Sequence, residues 1–404
     1  MIFSHGLGGS RNAYSHLVGS IASHGVIVIA PEHRDGSTPI SFVRDVPTSE
    51  SKSEKSFLRT KTPKRTIDYV RLSHTPGPDV EAGRNAQLKI RLWEMGLIHD
   101  SIIKMDQGQN FTNLEHPAGP LSQFKESMDV HTPGKITFAG HSFGAATIVQ
   151  LVKSTFYSPQ TSKAPSTYEP LFTPSSRSSI SAQITPKTPL ILLDTWCLSL
   201  RASSTRWLWN LPLPSYTPGG NGGSSILAVE SEAFFKWRIH LKATKKLLSP
   251  NPASDTYDYK NGAITEPNFF YASTSAHLSQ SDFGLLFPWV AKRFLAVSEP
   301  ERIMKLNVRA VMQVMRNSGV EVAVTSKEDM EVEDTDAKEV TDNDEVILRP
   351  KDEIRGWKWI STDTKDLKDV DFEEEESNEE LDNSADAAPM GGDELGRQKS
   401  RERL

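Results

Sequence analysis

The chain has 404 residues, of which 37% are apolar and 24% charged, with a formal charge of −6. That apolar share is low for one compact domain and points to an added disordered portion, and the negative balance argues against a general nucleic-acid binder, which needs clustered Lys and Arg. Cys197 is the only cysteine, so no intrachain disulfide can form and a cysteine-built metal site is disfavoured.

Met1-Ile2-Phe3 reads as the end of a buried strand, and a preceding piece of chain is expected. No basic-then-apolar leader and no run of roughly 20 apolar residues is visible. With the lone cysteine, this gives the expectation of a cytoplasmic protein, peripheral at membranes. Ser10 can cap a helix whose Tyr14, Leu17, Val18 and Ile21 recur at helical spacing, and Gly25 stands at its stop. Val26-Ile27-Val28-Ile29-Ala30 then predicts a strand buried on both faces. Residues 36–83 read as a Ser/Thr/Pro-rich surface excursion. A second helix carries Leu88, Leu92, Met95, Ile98, Ile102 and Met105 along one stripe.

Strand and helix alternate again at Lys135–Ala139 and at Ala145, Ile148, Val149 and Val152. After an insertion at 154–187, strands are expected at Leu190–Leu193, Ile226–Val229 and near Phe269–Tyr271, with a last helix from Pro300 carrying Ile303, Leu306, Ala310 and Val314. Such alternation predicts a mostly parallel sheet with helices on both faces. The catalytic-type domain is therefore placed at 1–320. Residues 321–404 read as an acidic, largely disordered tail, with only Ile354–Ile360 expected to dock back.

Gly140-His141-Ser142-Phe143-Gly144 has an apolar strand before it and Ala145-Ala146 opening a helix after it. That is the context of a nucleophile elbow, where small residues flank a serine on a strained turn. A serine hydroxyl needs a base, and the base needs a carboxylate, in the chain order Ser, acid, His. Asp194 ends a predicted strand. Asp255, Asp258 and Asp282 are rival acids whose loop contexts fit less well. Only His240 and His277 follow Asp194; His240 sits on a predicted helix, so His277 is preferred. Ser4-His5-Gly6-Leu7 supplies an early His-Gly loop, making the Leu7 and Phe143 amides candidate oxyanion donors. Glu32-His33-Arg34-Asp35 reads as a structural ion-pair loop rather than a metal cluster. Trp207–Leu213 reads as core or lid packing ahead of lipid contact.

Taken together, Phe3–Gly8, Ala22–Gly25, Glu32–Asp35, Arg84-Asn85, Gly140–Thr147, Leu193–Trp196, Ser231-Glu232 with Phe234-Phe235, and Ser275–His277 with Asp282-Phe283 resemble the plasma and intracellular type II platelet-activating-factor acetylhydrolases over about residues 1–295. The resemblance implies an α/β-hydrolase fold, here expected to lack its first strands. It implies Ser142, Asp194 and His277 as a triad, Leu7 and Phe143 as oxyanion donors, and no metal or cofactor. The implied reaction is calcium-independent hydrolysis of a short or oxidised sn-2 acyl ester of a glycerophospholipid, taken from a membrane surface. The alternatives are a general carboxylesterase or lipase with the same triad, and a truncated, inactive hydrolase-like protein that binds partners through its tail and insertions.

Overall fold

The computed structural model describes residues 1–44, 64–73, 77–111, 113, 120–254, 257, 259, 264–326, 329–330, 343–368 and 370. Short aliphatic and aromatic runs form a six-stranded sheet from β1 (Ile2–Ser4), β4 (Phe138–His141), β5 (Leu190–Leu193), β6 (Ile226–Ser231), β7 (Asn268–Ala272) and β8 (Trp357–Trp359), paired in that order. The first five are parallel and β8 joins antiparallel to β7. Strands β2 (Ile40–Arg44) and β3 (Lys64–Asp68) form a separate antiparallel hairpin.

The helices are α1 (Ser15–Ser23), α2 (Pro78–Asp106), α3 (Phe143–Phe156), α4 (Ser179–Gln183), α5 (Arg206–Trp209), α6 (Glu232–Lys236), α7 (Arg238–Leu247), α8 (Phe283–Leu286), α9 (Pro288–Phe294) and α10 (Pro300–Asn317). Residues alternate between the sheet faces, as the two-residue period of a strand requires. Ile2, Phe138, Leu190, Leu192, Ile226, Ala228 and Phe269 pack with α2, α3 and α7. Phe3, Ala139, Ile191, Leu193, Leu227, Val229 and Phe270 pack with α1 and α10. All strand residues of β4, β5 and β6 are buried, which is why they read as continuous apolar runs.

Three expectations need correction. The run at 26–30 forms no strand of its own: it meets β1 through one bridge, Ile2 to Ile29, and Ile27–Ala30 are only half-buried. Its backbone still follows β1, with Ile29 N donating to Met1 O and Phe3 N to Ile29 O, each at 2.9 Å, while its outer flank has no sheet partner among the described residues. The start of the 36–83 excursion is not superficial either. Ser37, Thr38 and Ser41 are buried, with the Thr38 and Ser41 hydroxyls donating to the His33 carbonyl. Finally, the docking expected for 354–360 extends over 343–368. Asp344 pairs with Arg309 of α10 at 2.7 Å with both side chains buried, and Lys245 of α7 reaches Asp366 at 3.0 Å. The insertion at 154–187 also gives Leu171, Ile180 and Ile184 to the core. Residues 45–63 of the first insertion and the acidic stretch 371–404, expected to be disordered, lie outside the described residues.

Candidate active site

Where β4 ends, the chain turns at Ser142 with φ +56° and ψ −120°, a conformation that side chains other than glycine rarely adopt. The turn is held from three directions: Ser142 N donates to Leu193 O at 2.8 Å, while Ser142 O accepts from Ala146 N at 3.1 Å and Trp196 N at 3.3 Å. The motif's second glycine is required by space, because a Cβ on Gly144 would lie 2.0 Å from the Ser4 carbonyl oxygen. Ser142 is buried, and its hydroxyl has no hydrogen-bond partner among the described residues. A buried polar atom left open in this way calls for an explanation.

Asp194 leaves β5 at φ +41°, its N–H donating to Val229 O on the next strand at 2.8 Å. Its carboxylate accepts from Ser231 N at 2.5 Å and lies 3.0 Å from His277 Nδ1 through its other oxygen. His277 follows β7 and is stacked on Phe234, with ring centroids 4.4 Å apart and planes 9° from parallel. Its loop is tied to the end of β6, since Glu232 N donates to Ser275 Oγ at 2.9 Å and Thr274 N to Glu232 Oε2 at 2.5 Å. The structure thus brings Asp194 and His277 into contact beside the Ser142 turn.

The rivals are placed elsewhere. His240 lies on α7 with its ring 3.7 Å from that of Trp237, and burial pushes it down to about 3. Asp282 accepts from His16 N at 3.1 Å and fastens α1. Asp255 and Asp258 lie outside the described residues. In the 207–213 segment, Leu208, Trp209 and Leu213 are buried, so that stretch packs as core.

The His5-Gly6-Leu7 loop lies against the elbow, close enough that a Cβ on Gly6 would stand 3.1 Å from Ser142 Cβ. Gly6 N donates to the Tyr14 hydroxyl at 3.1 Å, and that hydroxyl lies 2.8 Å from His141 Nδ1. Arg91 of α2 donates to the His5 carbonyl at 2.8 Å and pairs with Asp35 at 2.7 Å, both side chains fully buried. Burial is the largest single influence and would raise Asp35, but the Arg91 guanidinium, His33 and the hydrogen bonds from Ser37 and Arg91 together outweigh it and hold the carboxyl at about 2. His33 N donates to His5 Nε2 at 3.1 Å, so the His5 proton sits on Nδ1, which donates to Gly6 O at 2.9 Å. Burial, reinforced by Arg91, keeps His5 well below its ordinary value and neutral. Leu7 is thereby carried on a loop clamped from three sides, and Phe143 opens α3, whose first amides face away from any intrahelical acceptor. The 32–35 segment is an ion-pair loop as read: His33 and Arg34 meet Glu94 at 2.9 and 3.1 Å.

Ligand atoms of His141, Asp194 and His277 lie within 4.8 Å of one another. A cation there would have to break the Asp194–His277 hydrogen bond and compete with Ser231 N and Tyr14, so the donor set fits a proton relay better than a metal. Arg91, Tyr14 as a hydrogen-bonding group, and the stacking role of Phe234 escaped the sequence reading. The one available signal was Arg84, Arg91 and Glu94 falling in phase with the apolar stripe of α2, where all three prove buried.

Comparison with known proteins adds an independent line. A family model described as platelet-activating factor acetylhydrolase, isoform II, matches residues 1–204. A Schizosaccharomyces pombe protein named "Putative phospholipase A2" is 28% identical over 337 residues, covering 79% of this chain and 68% of that protein. Proteins named platelet-activating factor acetylhydrolase from Bos taurus and Canis lupus familiaris are 37% and 33% identical over 150 residues, 37% of this chain and 31% of each of theirs. The matched stretch therefore spans under a third of those two mammalian relatives.

Proposed function

The chain belongs to the platelet-activating factor acetylhydrolase, isoform II, family, and we propose that it is a calcium-independent serine esterase acting on the short or oxidised sn-2 acyl group of glycerophospholipids. The observation that carries this reading is the 3.0 Å contact between Asp194 and His277 beside an unsatisfied Ser142 hydroxyl on a strained turn. Ser142 Oγ attacks the ester carbonyl as His277 takes its proton, and Asp194 stabilises the imidazolium. The amides of Leu7 and Phe143 receive the oxyanion; one such donor is worth about 10²–10³ in rate. His277 then protonates the departing lysophospholipid oxygen. Water clears the acyl-enzyme by giving its proton to His277, which returns it to Ser142.

Support for a substrate drawn from a lipid surface comes from α8 and α9, just after the histidine loop. Leu286, Phe287, Trp289 and Phe294 are exposed there, Trp289 by 71%, with Lys292 and Arg293 among them. Apolar and basic side chains on two adjacent short helices suit an anionic interface. No helix among the described residues is long and apolar enough to cross a membrane.

Fluorophosphonate labelling tests the reaction class: the native protein is expected to label and Ser142→Ala not to. Acetyl- and long-acyl phosphatidylcholines in vesicles, assayed with a chelator beside an aryl ester, test the substrate. Preference for the aryl ester over every phospholipid would reassign the protein to general carboxylesterases, and equal labelling of both proteins would remove the serine mechanism.

A further inference from the structure

Strands β5 and β6 pair with Leu193 opposite Val229, which sets the next residues, Asp194 and Glu230, side by side. Glu230 continues the face of Ile226 and Ala228 and is 1% exposed; neither of its carboxyl oxygens makes a well-formed hydrogen bond among the described residues, the Thr244 hydroxyl being the polar group turned toward it. The groups around it do not neutralise it. Lys245 of α7 is spent on Asp363 O at 2.7 Å and Asp366 at 3.0 Å. Thr244 of α7 faces Cys197 at 3.8 Å, and burial pushes that thiol up to about 12, so it stays uncharged. Lys153 of α3 donates to Leu208 O and Trp209 O, each at 3.2 Å.

Two adjacent carboxyls in a dry interior do not both ionise. Asp194 has two N–H donors and Glu230 has neither, so Asp194 holds the charge and Glu230 the proton. We propose that Glu230 is a reserve acid of the relay, a protonated carboxyl beside Asp194 that assumes the negative charge behind His277 whenever Asp194 lacks it. Burial first, and then the charge of Asp194, push Glu230 up to about 8. Removing Asp194 takes away the second cause, and Glu230 then ionises at lower pH, where the charge favours the imidazolium of His277. Glu230 acts through His277 and is a positioning residue rather than one that touches substrate.

This inference rests on the serine-esterase reading, and the test separates the two. Hydrolysis of 4-nitrophenyl acetate is measured across pH for the native protein, Ser142→Ala, Asp194→Ala and Asp194→Ala/Glu230→Gln, with thermal unfolding of each. The single Asp194 variant is expected to keep at least about 10-fold more kcat/KM than the double variant, and to gain activity through one ionisation below pH 8 that the double variant lacks. Equal rates and equal pH profiles for the two would overturn the role of Glu230. Should Asp194→Ala fail to fold, the isosteric pair Asp194→Asn and Asp194→Asn/Glu230→Gln gives the same contrast. If the native protein and Ser142→Ala hydrolyse the ester equally, the esterase reading fails instead.

Discussion

Among the described residues, the buried serine–histidine–carboxylate arrangement at Ser4, His33 and Glu94 is more complete than the candidate catalytic one at Ser142. Ser4 Oγ is 2.9 Å from His33 Nε2, and His33 Nδ1 is 2.9 Å from Glu94. By distance that relay is finished, whereas the Ser142 hydroxyl has no hydrogen-bond partner among the described residues. The difference lies in what surrounds each serine. Ser4 sits inside the regular strand β1 with its oxygen satisfied, and His33 and Glu94 are buried beneath it. Ser142 sits at positive φ, directly ahead of a helix N-terminus and against a glycine loop. A saturated relay in regular backbone works as a clamp, here fixing the base of the His5–Leu7 loop. An unsaturated hydroxyl on a strained turn at the start of a helix is left open to react. Relay geometry alone does not distinguish the two; backbone strain and an open hydroxyl do.

Substituting the two histidines tests that contrast most severely. His277→Gln is expected to lower kcat by about 10⁴-fold or more with little change in the unfolding midpoint. His33→Gln should cost about 1–3 kcal/mol of stability in denaturant titration, because Ser4 and Glu94 each lose a buried partner, with a far smaller effect on rate. If His33→Gln abolished labelling of Ser142 while the fold persisted, the clamp would have to be counted as part of the chemistry.

Acid sharpens the comparison next. Burial holds His33 and His141 well below their ordinary value, His99 at about 4 and His240 at about 3. The unfolded chain binds protons at these rings near pH 6.5 that the folded chain refuses, so their contribution is complete above pH 6.5 and is lost as pH falls toward the folded values. Stability should drop by about 1.4 kcal/mol per pH unit for each such group. Urea midpoints between pH 7 and 4 measure the slope, and His240→Gln should make it shallower. The smallest effect is reserved for Ser4→Ala, expected to cost about 1 kcal/mol in urea and to leave fluorophosphonate labelling intact.

Much of the fold was legible because it is written in local periods. Buried parallel strands show as unbroken aliphatic runs, and α2 and α10 as stripes at helical spacing. The strand, turn and helix about Ser142 could be read from five residues and their flanks. The run at 26–30 misled for the same reason: its composition matched a strand buried on both faces, but it meets β1 through a single bridge with Ile27–Ala30 only half-buried, and composition does not report neighbours. The reach of 343–368 back to the sheet was missed because polar residues such as Asp344 and Asp366 dock through ion pairs that have no periodic signature.

From the order of residues alone came the alternating architecture, the position of the strained serine and a short choice of acids and bases. Which acid meets which base, why Arg91 is buried, what stacks on His277 and why Glu230 stands beside Asp194 were decided only when strands far apart in the chain took their register. Those contacts depend on distances across the sheet, and a one-dimensional pattern holds distance only along itself.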